Sequence, residues 1–254
     1  MTNGLLDGLL DAEDAAAILS AMDQHELNDD SKKQILLFCD ELRAYNEHTN
    51  LVANANLDVV LKEHVLDSLT LLPSIKKDSD AKLIDIGSGA GFPGLILAIA
   101  RPQLKVFLLE SIGKKCRFLE KACEKLGLGS KRVHVVCDRA EVLGHSPEYR
   151  ERFTYATARA VAALPIVAEL TLPFLKVGGI FLAQRSKRQV EQEQADAEAY
   201  ISRLGGRVLR TDLLPEDLIG RQLSVTSIEK DRTTPRRFPR PAAQIQKDKK
   251  AGRV

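Results

Sequence analysis

Apolar positions along the chain follow two different spacings, and the change falls near residue 80. Before it they recur every three to four residues, which is typical of amphipathic helices. One such face lies in 31–50 and consists of Ile35, Phe38, Cys39, Leu42 and Tyr45. Ser31 is predicted as its N-cap, and a second segment, 57–73, repeats the spacing up to its final proline. Residues 1–77 are therefore predicted to form a helical N-terminal extension.

After residue 80, short apolar runs alternate with helical segments. The runs are "AKLIDIG", "LKVFLLES", "RVHVVCD", "RFTYATAR" and "GGIFLAQ", and the helices between them are "PGLILAIAR", "GKKCRFLEKACEKLG" and "LPIVAELTLPFLK". Buried strands that alternate with helices are typical of a parallel sheet covered on both faces. Two last runs, "GGRVLRTDLL" and "RQLSVTSIEKD", lie too close for a long helix and predict an antiparallel edge hairpin. The prediction is an α/β domain over 78–230.

Composition excludes several classes of protein. The chain has 254 residues, of which 44% are hydrophobic, enough for a full core. No apolar run approaches the length that crosses a bilayer and the start is acidic, so we predict a cytoplasmic protein with no membrane contact. Four cysteines without C-x-x-C spacing predict reduced thiols, and the scattered histidines predict no metal site.

The basic charge is concentrated at the end of the chain. Residues 230–254 contain nine Lys or Arg and two acids, although the net charge of the whole protein is only +2. Prolines and weak apolar periodicity predict that 231–254 is a flexible basic tail that adds little to the core. It is either a solvated terminus or an arm that neutralises phosphates of a nucleic acid.

The run "LIDIGSGAGFPG", 83–94, is a strand, a glycine-rich turn and the start of a helix. In a doubly wound sheet, ligands bind at such turns. Gly87 allows the tight turn, and Gly89 and Gly91 let a ligand lie against bare backbone. A dinucleotide fingerprint needs glycine where this chain has Phe92, and no phosphate-loop motif is present. A ligand with ribose and adenine but no phosphates fits better.

Acidic residues end three consecutive predicted strands. Asp85 precedes the glycine turn, and Glu110 ends the second strand, where its two oxygens can accept both ribose hydroxyls. After the third strand, Asp138, Ala140 and Glu141 are placed to border an adenine ring. A single acid would be an ordinary solvated strand end, but three together favour a nucleoside pocket.

The order of "DIGSGAG", "LLES" and "DRAE" resembles the Rossmann-like class I methyltransferases that use S-adenosylmethionine. Four longer stretches, "NLVANANLDVVLKEHVLDSL", "LIDIGSGAGFPGLILAIARP", "LLESIGKKCRFLEKACEKLGL" and "ATARAVAAL", together resemble bacterial small-subunit ribosomal RNA methyltransferases that modify guanine at N7, the glucose-inhibited division protein B family. The resemblance implies a mostly parallel class I sheet, S-adenosylmethionine as cofactor and 16S ribosomal RNA of the small subunit as partner.

The resemblance also implies the residues of the site. The cofactor pocket is expected to contain Asp85, Gly87, Gly89, Gly91, Phe92, Glu110, Ser111, Ala140, Glu141 and Arg159. Arg159, the catalytic candidate, matches the family's arginine at the end of the fourth strand, beside the cofactor and facing the base. An ion pair with Asp85 or Glu110 is the alternative role for Arg159, and both roles are compatible.

Candidate RNA contacts come from the resemblance and from charge. Over the mouth of the pocket, the family's "NL…H-x-x-D-S" stretch matches Asn50, His64, Asp67 and Ser68. The family often has Lys-Gly after the fifth strand where this chain reads "LAQRSK", so Arg185 and Lys187 are candidate replacements. A phosphate-binding surface is further predicted from Arg101, Lys114, Lys115, Arg117, Lys121, Arg236 and Arg237.

Motifs that the chain lacks agree with N7 as the target atom. There is no [N/D]-P-P-[Y/F] loop for an exocyclic amine, and no cysteine beside proline for attack on a pyrimidine. Guanine N7 has a lone pair and no proton to lose, so direct in-line transfer needs orientation and no general base. Arg159 could orient the base through O6.

Two other functions are compatible with the fold. A small-molecule methyltransferase would need an apolar or aromatic lid, for which 5% aromatic content and no Trp offer little. A non-catalytic RNA-binding or assembly protein would be favoured by an altered pocket, and here every pocket position is present. We expect a monomer, because no apolar helix face is obviously spare.

Overall fold

In the computed structural model, the chain is described over residues 5–6, 8–77, 81–159, 162–216 and 221–250, apart from the side chains of 187, 191–196, 249 and 250. The α-helices are α1 (Ala12–Gln24), α2 (Asp29–Asn46), α3 (Leu57–Val60), α4 (Asp67–Leu69), α5 (Gly94–Ala100), α6 (Gly113–Lys125), α7 (Ala140–Leu143), α8 (Leu164–Thr171), α9 (Lys187–Arg203) and α10 (Ala242–Lys250). The strands are β1 (Lys82–Ile86), β2 (Lys105–Glu110), β3 (Val133–Cys137), β4 (Phe153–Arg159), β5 (Leu175–Ser186), β6 (Gly206–Leu213) and β7 (Leu223–Lys230).

These strands form one sheet in the order β3-β2-β1-β4-β5-β7-β6. Strands β1 to β5 are parallel, whereas β7 runs antiparallel to both β5 and β6. The predicted α/β class, the mostly parallel sheet and the antiparallel edge hairpin are confirmed. The strand order reverses between β1 and β4, and in sheets of this kind the ligand crevice lies at that reversal.

The N-terminal helices pack on one face of the sheet and share its hydrophobic core. Ile35, Phe38 and Leu42 of α2 belong to the same buried cluster as Leu95 of α5 and Leu119 of α6. Helix α2 begins earlier than the sequence predicted, because the side chain of Asn28 caps it by accepting a hydrogen bond from the backbone N–H of Ser31. Ser31 itself lies inside the first turn.

A π-helical turn, Leu61–Leu66, interrupts the helix between α3 and α4. Such turns are rare and frequent at functional sites. This one contains Glu63 and His64, and the hydroxyl of Ser68 donates to the His64 carbonyl at 2.6 Å. The turn therefore places the Glu63 carbonyl and the His64 side chain against Arg159 at the end of β4.

Helices α7, α9 and α10 were not predicted from the sequence. Helix α9 is capped by a reciprocal pair, Ser186 and Gln189, although the sequence around it has little apolar periodicity. Helix α10 lies in the segment expected to be a flexible tail. The described part of that segment, 231–250, instead packs on the domain, because Phe238 is buried and Arg240 pairs with the buried carboxylate of Glu169.

The cysteines also differ from expectation. Cys116 and Cys137 form a disulfide, whereas Cys39 and Cys123 are free and buried. The prediction of four reduced thiols is therefore wrong for the first pair. The pairing depends on tertiary structure: Cys137 is aligned with Glu110 at the end of β2, and Cys116 lies in the first helix turn after it. None of the described helices is long and apolar enough to cross a membrane.

Candidate active site

The glycine turn after β1 adopts the backbone that its sequence requires. Gly87, Gly89 and Gly91 have φ values of 70°, 59° and 101°, which other residues rarely adopt. The N–H groups of Gly87 and Ser88 both donate to the Leu109 carbonyl, at 2.8 Å and 3.1 Å. The turn is thus tied to the end of β2, and it presents backbone without side chains to the crevice.

Asp85 lies beneath this turn. Its side chain is fully buried and accepts hydrogen bonds from the backbone N–H of Gly94 at 3.1 Å and from Thr157 Oγ1 at 2.8 Å. A Cβ atom on Gly94 would lie 2.7 Å from Asp85 Oδ2, so the residue must be glycine for the helix to approach. Burial raises the pKa of Asp85 to about 6. The structure therefore shows Asp85 supporting the turn, and its contact with the cofactor stays a prediction.

Glu110 is 5% exposed and faces the same turn from the end of β2. Its Oε2 accepts from Gly89 N–H at 2.9 Å, and its Oε1 accepts from the N–H groups of Ser111 and Ile112, both at 2.8 Å. A carboxylate has about four acceptor sites, so lone pairs are left for further donors. The backbone holds Glu110 in one orientation, which suits an acceptor for ribose hydroxyls.

A cavity of about 140 Å³ adjoins Glu110 at the ends of β1, β2 and β3. Its lining residues are Ile86, Gly87, Leu109, Ser111, Asp138, Arg139, Ala140, Glu141 and Leu170. The structure thus brings the predicted Gly87, Ser111, Ala140 and Glu141 together. Arg139, which the sequence analysis did not select, pairs with Glu141. Apolar walls with polar groups at the rim are suited to an adenosine moiety.

Arg159 ends β4 and points into the N-terminal helices. Its Nη1 donates to the Glu63 carbonyl at 3.1 Å, its Nη1 lies 3.6 Å from Asp67 Oδ2, and its guanidinium lies 5.4 Å from the centre of the Phe92 ring. Phe92 also packs on Phe38, at 5.3 Å between ring centres. Phe92 therefore supports Arg159 and does not line the cavity beside Glu110.

The imidazole of His64 lies against Arg159. Nδ1 of His64 is 3.0 Å from the Glu63 carbonyl and 3.3 Å from Arg159 Nη2. Nδ1 can donate to the carbonyl only when it carries a proton, and it can accept from the guanidinium only when it carries none. The contact with the Glu63 carbonyl is the shorter one, so we assign the proton to Nδ1. Burial, together with the charge of Arg159, lowers the pKa of His64 to about 4. His64 is therefore neutral at physiological pH.

Asp67 is held by two arginines. Nη2 of Arg221 contacts its Oδ1 and Oδ2 at 3.1 Å and 3.0 Å, and Arg221 also lies 3.6 Å from Glu63 Oε2. The sequence analysis missed Arg221 and Glu63. Arg221 lies two residues before the start of β7, and because β7 is antiparallel, its first residues reach the edge where the parallel strands end. The predicted antiparallel direction of β7 was therefore the signal in the sequence that could have indicated Arg221.

A second cavity, of about 270 Å³, opens beside this group of charges. Its lining residues are Glu63, His64, Asp67, Arg159, Gln184, Arg185, Ser186, Gln189, Arg221 and Leu223. This second cavity lies at the ends of β4 and β5, whereas the cavity beside Glu110 lies at the ends of β1, β2 and β3. The arrangement has one site suited to a nucleoside and a neighbouring one with three arginines, which suits a nucleic-acid base and its phosphates.

The other predicted RNA contacts are spread more widely. Lys114 and Arg117 are exposed at the start of α6, beside the cofactor edge of the sheet, and Asn50 is exposed after α2. Arg101, in contrast, ends α5 at the opposite edge, where Leu104 N–H bonds to its carbonyl, so it is not placed with the others. Burial of Arg185 is nearly complete, and the Lys187 side chain lies outside the described residues.

Arg236 and Arg237 are exposed on the C-terminal segment. The flanking carbonyls of Pro235 and Phe238 accept hydrogen bonds from Arg150, which precedes β4. These two arginines therefore lie toward the edge of the sheet away from the glycine turn. Among the described residues there is no cluster of three or more His, Cys, Asp or Glu side chains that could hold a metal ion.

Comparison with known proteins gives consistent matches. The chain is 39% identical to ribosomal RNA small subunit methyltransferase G of Alkaliphilus oremlandii over 88% of this chain and 92% of that one. It is 44% identical to the Deinococcus radiodurans protein of that name over 78% of each chain. Among solved structures, geranyl diphosphate methyltransferase in complex with SAM has a TM-score of 0.51 at 12% identity, over 65% of this chain and 85% of that one. This last similarity concerns the fold alone.

A family model matches most of the chain. It is described as GidB, rRNA small subunit methyltransferase G, and it covers residues 31–216. The matched range contains the glycine turn, Glu110, Arg159 and the π-helical turn, while Arg221 and the C-terminal segment lie beyond it. The chain belongs to the GidB family of small-subunit rRNA methyltransferases.

Proposed function

We propose that this protein transfers a methyl group to N7 of a guanine in 16S ribosomal RNA, by direct in-line attack and without a general base. As a member of its family, the chain is an S-adenosylmethionine-dependent methyltransferase that acts on 16S rRNA. The target atom and the mechanism are the proposed part. When bound, S-adenosylmethionine supplies an electrophilic methyl group on a sulfonium.

The pairing of the acids and bases in the second cavity carries the proposal. Asp67 contacts Arg221 and lies near Arg159, so protonating it would remove a counter-charge that two guanidiniums share. His64 is a weak base because burial and Arg159 lower its pKa to about 4. Glu63 lies beside Arg221. The imidazole of His64 is a poor proton acceptor, and N7 is a position whose methylation requires none.

The residues present fit the cofactor. Glu110 is fixed by three backbone N–H groups and keeps acceptor capacity toward the cavity. Ala140 and Leu170 supply apolar walls there. Gly87 and Gly89, in a conformation closed to most side chains, leave room for the remainder of the ligand between that cavity and Arg159.

Arg159 is the residue placed to orient the base. It lies at the end of β4, between the residues that fit the cofactor and the second cavity, and its guanidinium is held by Glu63, Asp67 and the Phe92 ring. Guanine O6 is an acceptor adjacent to N7, and arginine commonly donates to it. A bond from Arg159 to O6 leaves the N7 lone pair open for attack. Proximity and orientation then supply most of the rate enhancement.

The test uses tritium-labelled S-adenosylmethionine and small ribosomal subunits from cells that lack this protein, followed by nucleoside analysis. The expected label is in 7-methylguanosine, and it is expected to disappear with Arg159→Ala and with Gly87→Asp. Matched controls are Arg203→Ala on α9 and Gly127→Asp, since Gly127 has a similar φ of 65° but open space around it. Label in a nucleoside other than 7-methylguanosine would contradict the proposal. The absence of any label, although the protein binds the cofactor, would also contradict it.

A further inference from the structure

We propose that Gln184 recognises the target guanine, by accepting hydrogen bonds at its side-chain carbonyl Oε1 from the base's N1–H and 2-amino group. This inference rests on the proposed function, because it concerns how the same cavity selects its base. Neither the family match nor the resemblance of motifs assigns a role to this glutamine.

Gln184 lies near the carboxyl end of β5, directly beside Arg159. The two residues are partners in the register between β4 and β5, so their side chains project from the same face of the sheet. Gln184 is 5% exposed and lines the second cavity together with Arg159 and Asp67. It is therefore a buried polar side chain at the wall of the base site.

The orientation of its amide is fixed by its neighbours. Nε2 of Gln184 donates to the Asp67 backbone carbonyl at 2.7 Å and contacts Thr70 Oγ1 at 3.1 Å. A backbone carbonyl only accepts, so the nitrogen must be the atom on that side. The amide cannot turn over without placing two acceptors against each other.

The remaining amide atom, Oε1, has no hydrogen-bond partner among the residues that the structure describes, although it is buried. Buried acceptors nearly always have a partner, because leaving one unsatisfied costs free energy. Gln184 lines the second cavity, so we infer that a donor on a bound ligand satisfies Oε1 from that side. The structure thus points to a ligand with N–H groups on the edge that meets β5.

The strand order agrees with guanine in one orientation. The residues that fit the cofactor lie on β1, β2 and β3, while Gln184 is two strands beyond β1, a separation of about 10 Å. In guanine, N7 and the 2-amino group lie on opposite edges of the base. A base whose N7 faces β1 therefore presents its N1–H and 2-amino group toward β5, with O6 near Arg159.

This contact distinguishes guanine from adenine. Adenine has a bare N1 and no 2-amino group, so its N1 lone pair would face Oε1 and leave that buried acceptor unsatisfied. Sites that are built to hydrogen-bond a ligand discriminate strongly against analogues without the matching group. Arg159 and Gln184 then recognise complementary groups: the arginine donates to O6, and the glutamine accepts from the neighbouring N–H groups.

The experiment measures kcat/KM on reconstituted small subunits with either guanine or inosine at the methylated position. Inosine keeps N7, O6 and N1–H and lacks only the 2-amino group. For the natural chain we expect kcat/KM to fall about 10-fold with inosine. Gln184→Met, which keeps the length but removes the acceptor, is expected to lower kcat/KM on guanine and to use both bases equally.

A matched control is Gln34→Met. Gln34 makes a structural hydrogen bond to the Leu126 carbonyl, far along the chain from the cavity, so this variant should retain the discrimination against inosine. The inference is overturned if Gln184→Met discriminates as strongly as the natural chain. If Gln184→Met does not fold, equal use of both bases by the natural chain overturns it. Failure of the proposed function is distinct, because then the natural chain yields no 7-methylguanosine from guanine-containing subunits.

Discussion

Arg221 donates from one guanidinium nitrogen to both carboxylate oxygens of Asp67, at 3.1 Å and 3.0 Å. The contact joins the segment that leads into β7 to the helix that covers the end of β4. Asp67 is 4% exposed, so the pair fixes a charge that water cannot easily stabilise. The last strand and the N-terminal extension thereby close the second cavity together.

We predict that Arg221→Ala lowers the free energy of unfolding by about 1–2 kcal/mol and reduces methylation, because Asp67 loses the guanidinium that contacts both of its carboxylate oxygens. Urea unfolding and the tritium assay measure the two effects. Arg207→Ala is the control, since its pair with Glu229 is exposed and should contribute less than about 1 kcal/mol. Equal loss of stability in both variants would show that Asp67 does not depend on Arg221.

Acid should destabilise the protein through His64. The folded state lowers the pKa of His64 from 6.5 to about 4, so the unfolded chain binds the proton first as pH falls. The stability from the neutral imidazole is complete above pH 6.5 and is lost progressively down to about pH 4, to a total of about 3 kcal/mol. Asp85 acts in the opposite direction, because its raised pKa favours the protonated folded state.

Comparison with His64→Gln separates the two groups, since Asp85 is common to both proteins. We expect the difference in unfolding free energy between them to shrink as pH falls from 6.5 toward 4. An NMR titration of the His64 ring protons gives the midpoint directly. A midpoint near 6.5 would falsify the assignment of a buried, neutral imidazole.

The disulfide predicts a thiol count. Denatured, unreduced protein should react with thiol reagent at Cys39 and Cys123 only, and peptide mass spectrometry should recover Cys116 linked to Cys137. Reduction is expected to lower the free energy of unfolding by about 2–4 kcal/mol, because the link constrains the unfolded chain. Cys123→Ser should keep the link and Cys116→Ser should abolish it. Reaction at all four positions before reduction contradicts the pairing.

The C-terminal segment should contribute strongly to stability through Arg240. Glu169 of α8 has no exposed surface, and it accepts hydrogen bonds from the Arg240 backbone N–H at 2.7 Å, from Arg240 Nε at 2.9 Å and from Tyr200 at 2.6 Å. Removing one partner of a buried pair costs about 3–5 kcal/mol, and we expect a loss of that size for Arg240→Ala.

Two further variants identify the cause of that loss. Arg237→Ala removes a neighbouring, exposed arginine and should change the free energy of unfolding by less than about 1 kcal/mol. In a Glu169→Gln background, Arg240→Ala should cost less than it does alone, since no buried charge is left behind. Thermal unfolding of the natural chain, the two single variants at Glu169 and Arg240 and the double variant measures the coupling between the two residues. Additive losses would mean that Arg240 acts through packing and not through Glu169.

The parts of the fold that follow from local patterns were predictable. Strand periodicity located β1 to β4 to within about a residue of each end, and the glycines at 87, 89 and 91 indicated a turn that the structure forms with positive φ. The resemblance of motifs then placed Glu110, Ala140 and Glu141 beside one cavity. Each of these features depends on residues close together in the sequence.

What could not be predicted depends on distant pairing. Arg221 meets Asp67 across 154 positions, and Gln184 meets the Asp67 carbonyl across 117. Nothing near Gln184 in the sequence marks its Oε1 as lacking a partner. Asp85 is predicted to contact the cofactor because it precedes the turn, and nothing near it in the sequence indicates its hydrogen bond with Thr157. Prolines and weak apolar periodicity predict a flexible tail, whereas Arg240 in that segment bonds to Glu169, 71 positions earlier.

The dependence of Glu169 on Arg240 has a consequence for synthesis of the protein. The two residues are 71 positions apart, so Arg240 is translated well after α8. Until it emerges, α8 can be buried only with an uncompensated carboxylate, so the face of the sheet that α8 covers cannot reach its final packing. A nascent chain that is stalled before residue 240 should therefore be captured by chaperones, whereas a chain that contains Arg240 should be released.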